Sequence, residues 1–289
     1  MYPYPVVFDM SLYDICLAIA VVVALFLADR MGIMRGFSVK MQKVLVIAIV
    51  EAVAIGFIGA VLFQAVYDAI KTGQFVLSTT TGMTFYGGLI FGVIGFFAAW
   101  FGLGHLMCKT DEPIRKLGSV LDIMACVIPL AHGIGRIGCF SVGCCHGKPT
   151  DAWYGVLMYT ESGWMKVVPV QLFEALFLFA LSGVLLWLFF KKFGKENKDR
   201  FPLMPIYVVG YGIWRFFIEY FRADDRGATI ISALSPSQLV AILMVLAGIG
   251  YFVAWYFWAK KVPMVEMNEK NVEENHVEAN EQDRGETTV

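Results

Sequence analysis

Seven long apolar stretches dominate this chain, at about 11–28, 44–67, 84–106, 117–135, 170–190, 203–221 and 236–259. Each is close to the ~20 residues that carry a helix across hydrocarbon. Backbone groups in lipid have no water to bond with, so such segments satisfy themselves as helices. Composition agrees: 58% of residues are hydrophobic and 16% charged, against roughly 25% charged in soluble proteins. The predicted fold is all-α, an integral membrane bundle of seven transmembrane helices in one domain, 1–261. The first stretch is expected to be a true span, because Met1–Asp9 has no basic n-region and no cleavage site follows. After Val262 the chain turns acidic, with Glu266, Glu269, Glu273, Glu274, Glu278, Glu281, Asp283 and Glu286 and few apolar partners. Residues 262–289 are therefore expected to form a disordered cytoplasmic tail.

Basic residues set the expected orientation. The segments 29–43, 107–116 and 191–202 and the tail carry 16 Lys and Arg, whereas the opposite side carries Lys71, Lys148, Lys166, Arg222 and Arg226. The positive-inside rule puts the N-terminus outside and the C-terminus in the cytoplasm. A net charge of −1 excludes a globally basic surface, and no nucleic-acid partner is expected.

Ionisable groups at bilayer depth cost at least about 2.5–3.5 kcal/mol and default to functional hypotheses. This chain has Glu51, Asp122, Arg136, Glu174, Arg215 and Glu219. Arg136 closes an apolar segment inside HGIGRIGCFSVGCCHGKPT, where Gly135, Gly138 and Gly147 permit close backbone approach. Arginine there suits an anionic ligand. In YGIWRFFIEYF, Tyr211, Arg215 and Glu219 share one helical face at i, i+4 and i+8. Arg215 then either pairs with Glu219 or joins Arg136 in a two-pronged phosphate clamp. The clamp is favoured because no carboxylate lies at helical spacing from Arg136. Tyr86 precedes Gly87 and Gly88 at the outer start of the third stretch. Those glycines serve helix packing or open room for a lipid.

Six cysteines divide into two groups. Cys16, Cys108 and Cys126 lie in or beside spans and read as packing residues. Cys139, Cys144 and Cys145 fall on the predicted outer side, where disulfides persist. A disulfide from Cys139 to Cys144 or Cys145, or reduced packed thiols, are the open readings. No metal is expected, since the spacing is not that of a structural zinc site and adjacent cysteines seldom face one ion.

Taken in order, these segments resemble the bacterial prolipoprotein diacylglyceryl transferase family, from about Tyr13 to Gly248. Gly135-Arg136-Ile137-Gly138-x-Phe140 resembles its GRxGNF signature, preceded by Asp122 and Ile128-Pro129. Pro169-x-Gln171-Leu172-Phe173-Glu174-Ala175 is similar to PxQLYEA, and Tyr211-Gly212-x-x-Arg215 with Glu219-x-x-Arg222 is similar to YGxxR…ExxR. Leu234-Ser235-x-x-Gln238-Leu239 resembles the LSxxQ that opens the last span. Tyr13 falls where the family carries a tyrosine. Three positions depart: Tyr86 stands for the family's histidine, Cys139 for its asparagine and Cys144 for its glutamate. The chain looks like a cysteine-rich branch.

The resemblance implies transfer of the diacylglyceryl group of phosphatidylglycerol to the lipobox cysteine of a prolipoprotein signal peptide, in the bacterial plasma (inner) membrane, without a cofactor. The expected catalytic set is Arg136 and Arg215 as the clamp, Tyr86 at the position of the family's histidine, and His146 by its nearness in sequence to the signature. Phospholipid would be bound by Arg136, Tyr13, Gly87, Gly88, Tyr211, Arg215, Glu219 and Arg222, and Gly135, Gly138, Cys139, Cys144 and Gly147 would form a signature loop. Thiol alkylation needs a thiolate, and a free cysteine has a pKa of about 8.5. Tyr86, His146 and His132 are candidate bases, or the arginines alone lower the acceptor's pKa. A lipid or solute transporter and a thiol-redox or metal-binding membrane protein are the alternatives.

Overall fold

The computed structural model describes residues 10–75, 77, 83–160, 163–192, 201–223 and 234–261. It is mostly helical: α1 (Leu12–Met34), α2 (Val39–Thr72), α3 (Phe85–Cys108), the short α4 (Glu112–Arg115), α5 (Leu117–Val142), α6 (Val170–Trp187), α7 (Met204–Ile218) and α8 (Pro236–Lys261). A π-helical turn, Leu188–Lys192, extends α6, and a 3-10 turn, Glu219–Phe221, extends α7. Among the described residues six helices are long and apolar enough to cross a membrane: α1, α2, α3, α5, α6 and α8. The stretch expected at 203–221 is α7, whose 15 residues rise only about 22 Å. The acidic tail expected at 262–289 lies outside the described residues.

Two features correct the sequence reading. The fold is not purely helical: strands β1 (Val156–Thr160) and β2 (Gly163–Val167) pair antiparallel, with Met158 opposite Met165. Neither strand is long enough to rival the apolar stretches as a signal. Secondly, α5 continues to Val142, so Gly135, Arg136, Gly138 and Cys139 are helical and not part of a loop. Gly138 explains how: a Cβ there would lie 3.0 Å from Cys16 Cβ and 3.1 Å from Tyr13 Cδ2. Close packing on α1 holds a glycine-rich segment in helical form.

Local chemistry fixes the ends. Ser11 and Asp14 form a capping box on α1, and Ser38 caps α2 through the Met41 N–H. Gly73 and Gly143 end α2 and α5 with φ of 74° and 82°, a conformation glycine adopts without cost. Ser235 caps α8: its Oγ accepts from Gln238 N at 3.2 Å, and Gln238 Oε1 accepts from Ser235 N at 3.0 Å.

α5 is the buried axis, packing against α1, α6 and α7, while α8 packs on α7. Ser182 of α6 donates to Cys126 O of α5 at 2.9 Å. α2 and α3 pair closely through glycines, and their inner residues join the same core as α1, α5 and α6. A Cβ on Gly56 would meet Gly88 O at 3.0 Å, and one on Gly87 would meet Gly59 O at 2.6 Å. Outward positions such as Val22, Phe26, Ile94, Leu176 and Phe217 are exposed apolar side chains, as a hydrocarbon solvent allows.

Candidate active site

Glu174, fully buried in the second turn of α6, is the hub of a charged cluster. Arg136 of α5 reaches it with Nε at 3.0 Å from Oε2 and Nη2 at 3.2 Å from Oε1. Tyr211 of α7 donates its hydroxyl to Glu174 Oε1 at 3.0 Å. His132, one turn before Arg136, lies 3.9 Å from the same oxygen and stacks edge-on with Tyr211 at 5.3 Å. Arg222 stands 4.0 Å from Glu174 Oε2 and 3.9 Å from Glu219 Oε2. Arg215 pairs with Glu219 at 2.8 Å and donates to Ser237 Oγ at 3.0 Å. Ser235 Oγ donates to Glu219 Oε1 at 3.0 Å. Three guanidinium groups from α5 and α7 with its extension thus face two carboxylates.

Two readings from sequence meet in this arrangement. Arg215 does pair with Glu219 on its own helix, yet Arg136 and Arg215 still belong to one network. The expected ladder is altered: Tyr211 bonds to Glu174 across the helices, not to its neighbour Arg215. Arg136 has a carboxylate after all, supplied by α6, which helical spacing within α5 could not reveal. A Cβ at Gly135 would meet no atom within 4 Å, so α5 is open beside Arg136. Arg215 Nη1 is buried without a hydrogen-bond partner among the described residues.

Beyond Val142 the chain is stitched to the site by its backbone. Gln171 Nε2 donates to Cys144 O at 2.7 Å, Gly147 N to Val168 O at 2.9 Å and Lys148 N to Phe221 O at 2.8 Å. Gly147 is required here, because a Cβ would lie 2.6 Å from Phe221 O and 2.7 Å from Val168 O. The six cysteines are free. The disulfide read as possible from Cys139 is not formed, yet the sulfurs of Cys139, Cys144 and Cys145 lie within 4.8 Å of one another. Hydrogen bonds from Cys139 and Cys144, helped by the Arg222 and Arg136 guanidiniums, hold the Cys145 thiol far below the ordinary thiol range. Bonding with Cys139 and Cys145 pushes the Cys144 thiol up. Tyr13 of α1 packs against Gly138, next to Cys139.

Four expected site residues are placed elsewhere. Gly87 and Gly88 are spent on the contact between α2 and α3. Tyr86 packs edge-on against Phe85, and no hydrogen bond or ion pair among the described residues links it to the arginines. The glycine pair that suggested a head-group pocket instead draws Tyr86 into the α2–α3 pair. His146 sets Nδ1 3.0 Å from Gly147 O, and no ion pair among the described residues joins it to the carboxylates. Ser237 joins the site although the sequence did not single it out, and Glu174 and Ser235, noted only as an ionisable group at bilayer depth and as motif residues, join it too. Their signals were a carboxylate at bilayer depth in the QLFEA run and the Ser-x-x-Gln capping pattern.

A family model described as prolipoprotein diacylglyceryl transferase matches residues 5–254. The chain belongs to this family. It is 31% identical over 250 residues to the phosphatidylglycerol–prolipoprotein diacylglyceryl transferase of Clostridium tetani, covering 83% of this chain and 91% of that protein. Transferase 2 of Clostridium perfringens is 28% identical over 244 residues, covering 82% and 88%, and the Finegoldia magna enzyme 29% over 247 residues, covering 83% and 89%. Every motif quoted above lies inside the matched region.

Proposed function

We propose that this chain transfers the diacylglyceryl group of phosphatidylglycerol to the thiol of a prolipoprotein's lipobox cysteine, the first step of lipoprotein maturation. Membership of the transferase family carries this reading, and the guanidinium groups gathered around Glu174 supply its chemistry. A thiolate attacks the terminal glyceryl carbon, the carbon–oxygen bond breaks, and glycerol phosphate leaves with one more negative charge than the diester had. Arg136 and Arg215, with Arg222 behind them, hold the phosphate and stabilise the charge that develops on it. Glu174 and Glu219 position these cations, and Tyr211 fixes Glu174. Tyr13 borders the acceptor side next to the cysteines.

The site sits in the outer part of a bacterial plasma membrane, with the N-terminus outside and the C-terminus in the cytoplasm. α7 with its 3-10 turn makes a seventh crossing. It starts where Leu203 N donates to Asp122 of early α5 at 2.8 Å and ends at Arg222 beside Glu174 of early α6. Donor lipid and tethered acceptor both reside in the bilayer, so both reach the site laterally.

Purified protein given labelled phosphatidylglycerol and a lipobox peptide tests the reading. Label is expected on the cysteine peptide and not on its serine counterpart. Absence of transfer from fully inserted, monodisperse protein overturns it.

A further inference from the structure

The described residues hold one cluster of metal-ligating side chains that the charged network does not absorb. We propose that Cys139, Cys144 and Cys145 form a three-thiolate zinc site whose fourth position takes the acceptor thiol. The second half rests on the transferase reading; the first half does not.

Geometry carries the site. The three sulfurs lie within 4.8 Å of one another. Tetrahedral zinc with Zn–S near 2.3 Å needs sulfurs about 3.8 Å apart, so each pair has to close by about 1 Å at most. Adjacent cysteines do not normally face one ion, and the backbone shows how these do. The helix ends at Gly143 with φ 82°, and Cys145 takes φ 59°, a left-handed value costly for a residue with a side chain. The bonds from Gln171 to Cys144 O and from Gly147 to Val168 O fix that turn. A chain held this way swings both Cys144 and Cys145 toward Cys139, one turn back on α5.

Charge and access agree. Zinc with three thiolates carries one net negative charge, and Arg136 stands one helical turn before Cys139 on α5. Cys144 is exposed, whereas Cys139 and Cys145 are half-buried, so the triad has one open side. His146 is not among the ligand groups that lie within 4.8 Å of one another there. Three protein ligands with an open fourth position is the pattern of catalytic zinc sites, not structural ones.

The open position answers the need for a thiolate. A thiol that coordinates zinc is deprotonated outright. The acceptor S–H gives its proton to water as the Zn–S bond forms. The sulfur lone pair then bonds to the terminal glyceryl carbon, and the carbon–oxygen pair departs with the phosphate held by the arginines. The thioether is a poor ligand and leaves the ion. Nothing is oxidised or reduced. Tyr86 and His146 are not needed as bases.

The test uses full-length protein, reduced and in detergent. Titration with zinc against a chromogenic chelator is expected to show one bound equivalent. Binding should fall at least about 10-fold in Cys144→Ser, an exposed position outside the packed core, and remain unchanged in Cys108→Ser. With cobalt in place of zinc, the thiolate charge-transfer band should shift on adding a lipobox peptide with cysteine but not with serine. Wild-type protein that holds no more zinc than the Cys139→Ser, Cys144→Ser, Cys145→Ser triple variant overturns the site. A cobalt band indifferent to the cysteine peptide, in protein that transfers label, overturns the open-position role. Zinc bound as expected with no transfer from phosphatidylglycerol supports the metal site and sinks the transferase reading instead.

Discussion

Two buried ionic clusters sit on α5, and they differ in arithmetic. At Asp122 one carboxylate meets one guanidinium, Arg35, at 3.2 Å, and its other oxygen accepts the Leu203 N–H at 2.8 Å. Arg35 also lies over the Phe189 ring at 4.6 Å. Fourteen residues on, or about 21 Å along the helix, Arg136, Arg215 and Arg222 share Glu174 and Glu219. The first cluster is balanced and ties together the starts of α5 and α7 with the end of α1. The second gathers three guanidiniums and two carboxylates among the described residues and is open beside Gly135. Burial is similar, so it does not separate a strut from a site. The difference lies in how many charges converge.

Substitution at each cluster gives the sharpest way to break that contrast. Arg136→Ala is expected to lower the transfer rate by about 10²–10³, the loss typical when one donor to a developing oxyanion is removed. Asp122→Ala should instead destabilise the fold by about 3–5 kcal/mol, since it strands a buried cation. Transfer per folded molecule should hold. Label transfer and thermal unfolding in detergent, measured on both variants, read the two effects. If Asp122→Ala lowers specific activity as far as Arg136→Ala, the balanced cluster is part of the catalytic machinery and the contrast fails.

Backbone support of the charged cluster comes next in size. Gly147→Ala drives a methyl against Phe221 O and Val168 O, and overpacking of this kind costs about 1–3 kcal/mol. Phe221 precedes Arg222, so the variant should lose transfer along with stability. Stability lost at unchanged specific activity would detach Arg222 from the site.

Much of this was legible in the sequence because it is written in single segments. Six of the seven apolar stretches became span-length helices, and α7 fell short because its last residues tighten into a 3-10 turn at Glu219. Arg136, Arg215, Glu219 and Tyr211 stood out as polar groups in lipid. What stayed hidden depends on contacts between segments. Glu174 is one carboxylate among several until α5 and α7 bring Arg136 and Tyr211 to it. The thiol triad needs a left-handed residue at Cys145, which no cysteine spacing announces. Tyr86 misled because a tyrosine beside two glycines looks the same whether the glycines admit a lipid or, as here, another helix.

A smaller effect sharpens the comparison from the α8 side. Ser235→Ala removes an N-cap, worth about 1 kcal/mol, and the bond that steadies Glu219. Its stability loss should be slight, but Glu219 becomes freer to neutralise Arg215. A modest rise in KM for phosphatidylglycerol with kcat little changed is the expected result. An unchanged KM would mean that Glu219 holds its place without Ser235.

The smallest effect is expected at Tyr86, and it tests where the charged site ends. Tyr86→Phe removes one hydroxyl from a residue whose ring packs on Phe85 and whose helix is bound to α2. If the site is confined to α1 and α5–α8, transfer should stay within about twofold of the parent at every pH tried, because no proton passes through this phenol. A loss near that of Arg136→Ala would place the Tyr86 hydroxyl in the reaction and bring the α2–α3 pair against the arginines during turnover. The two clusters would then differ in what docks on them as well as in how many charges converge.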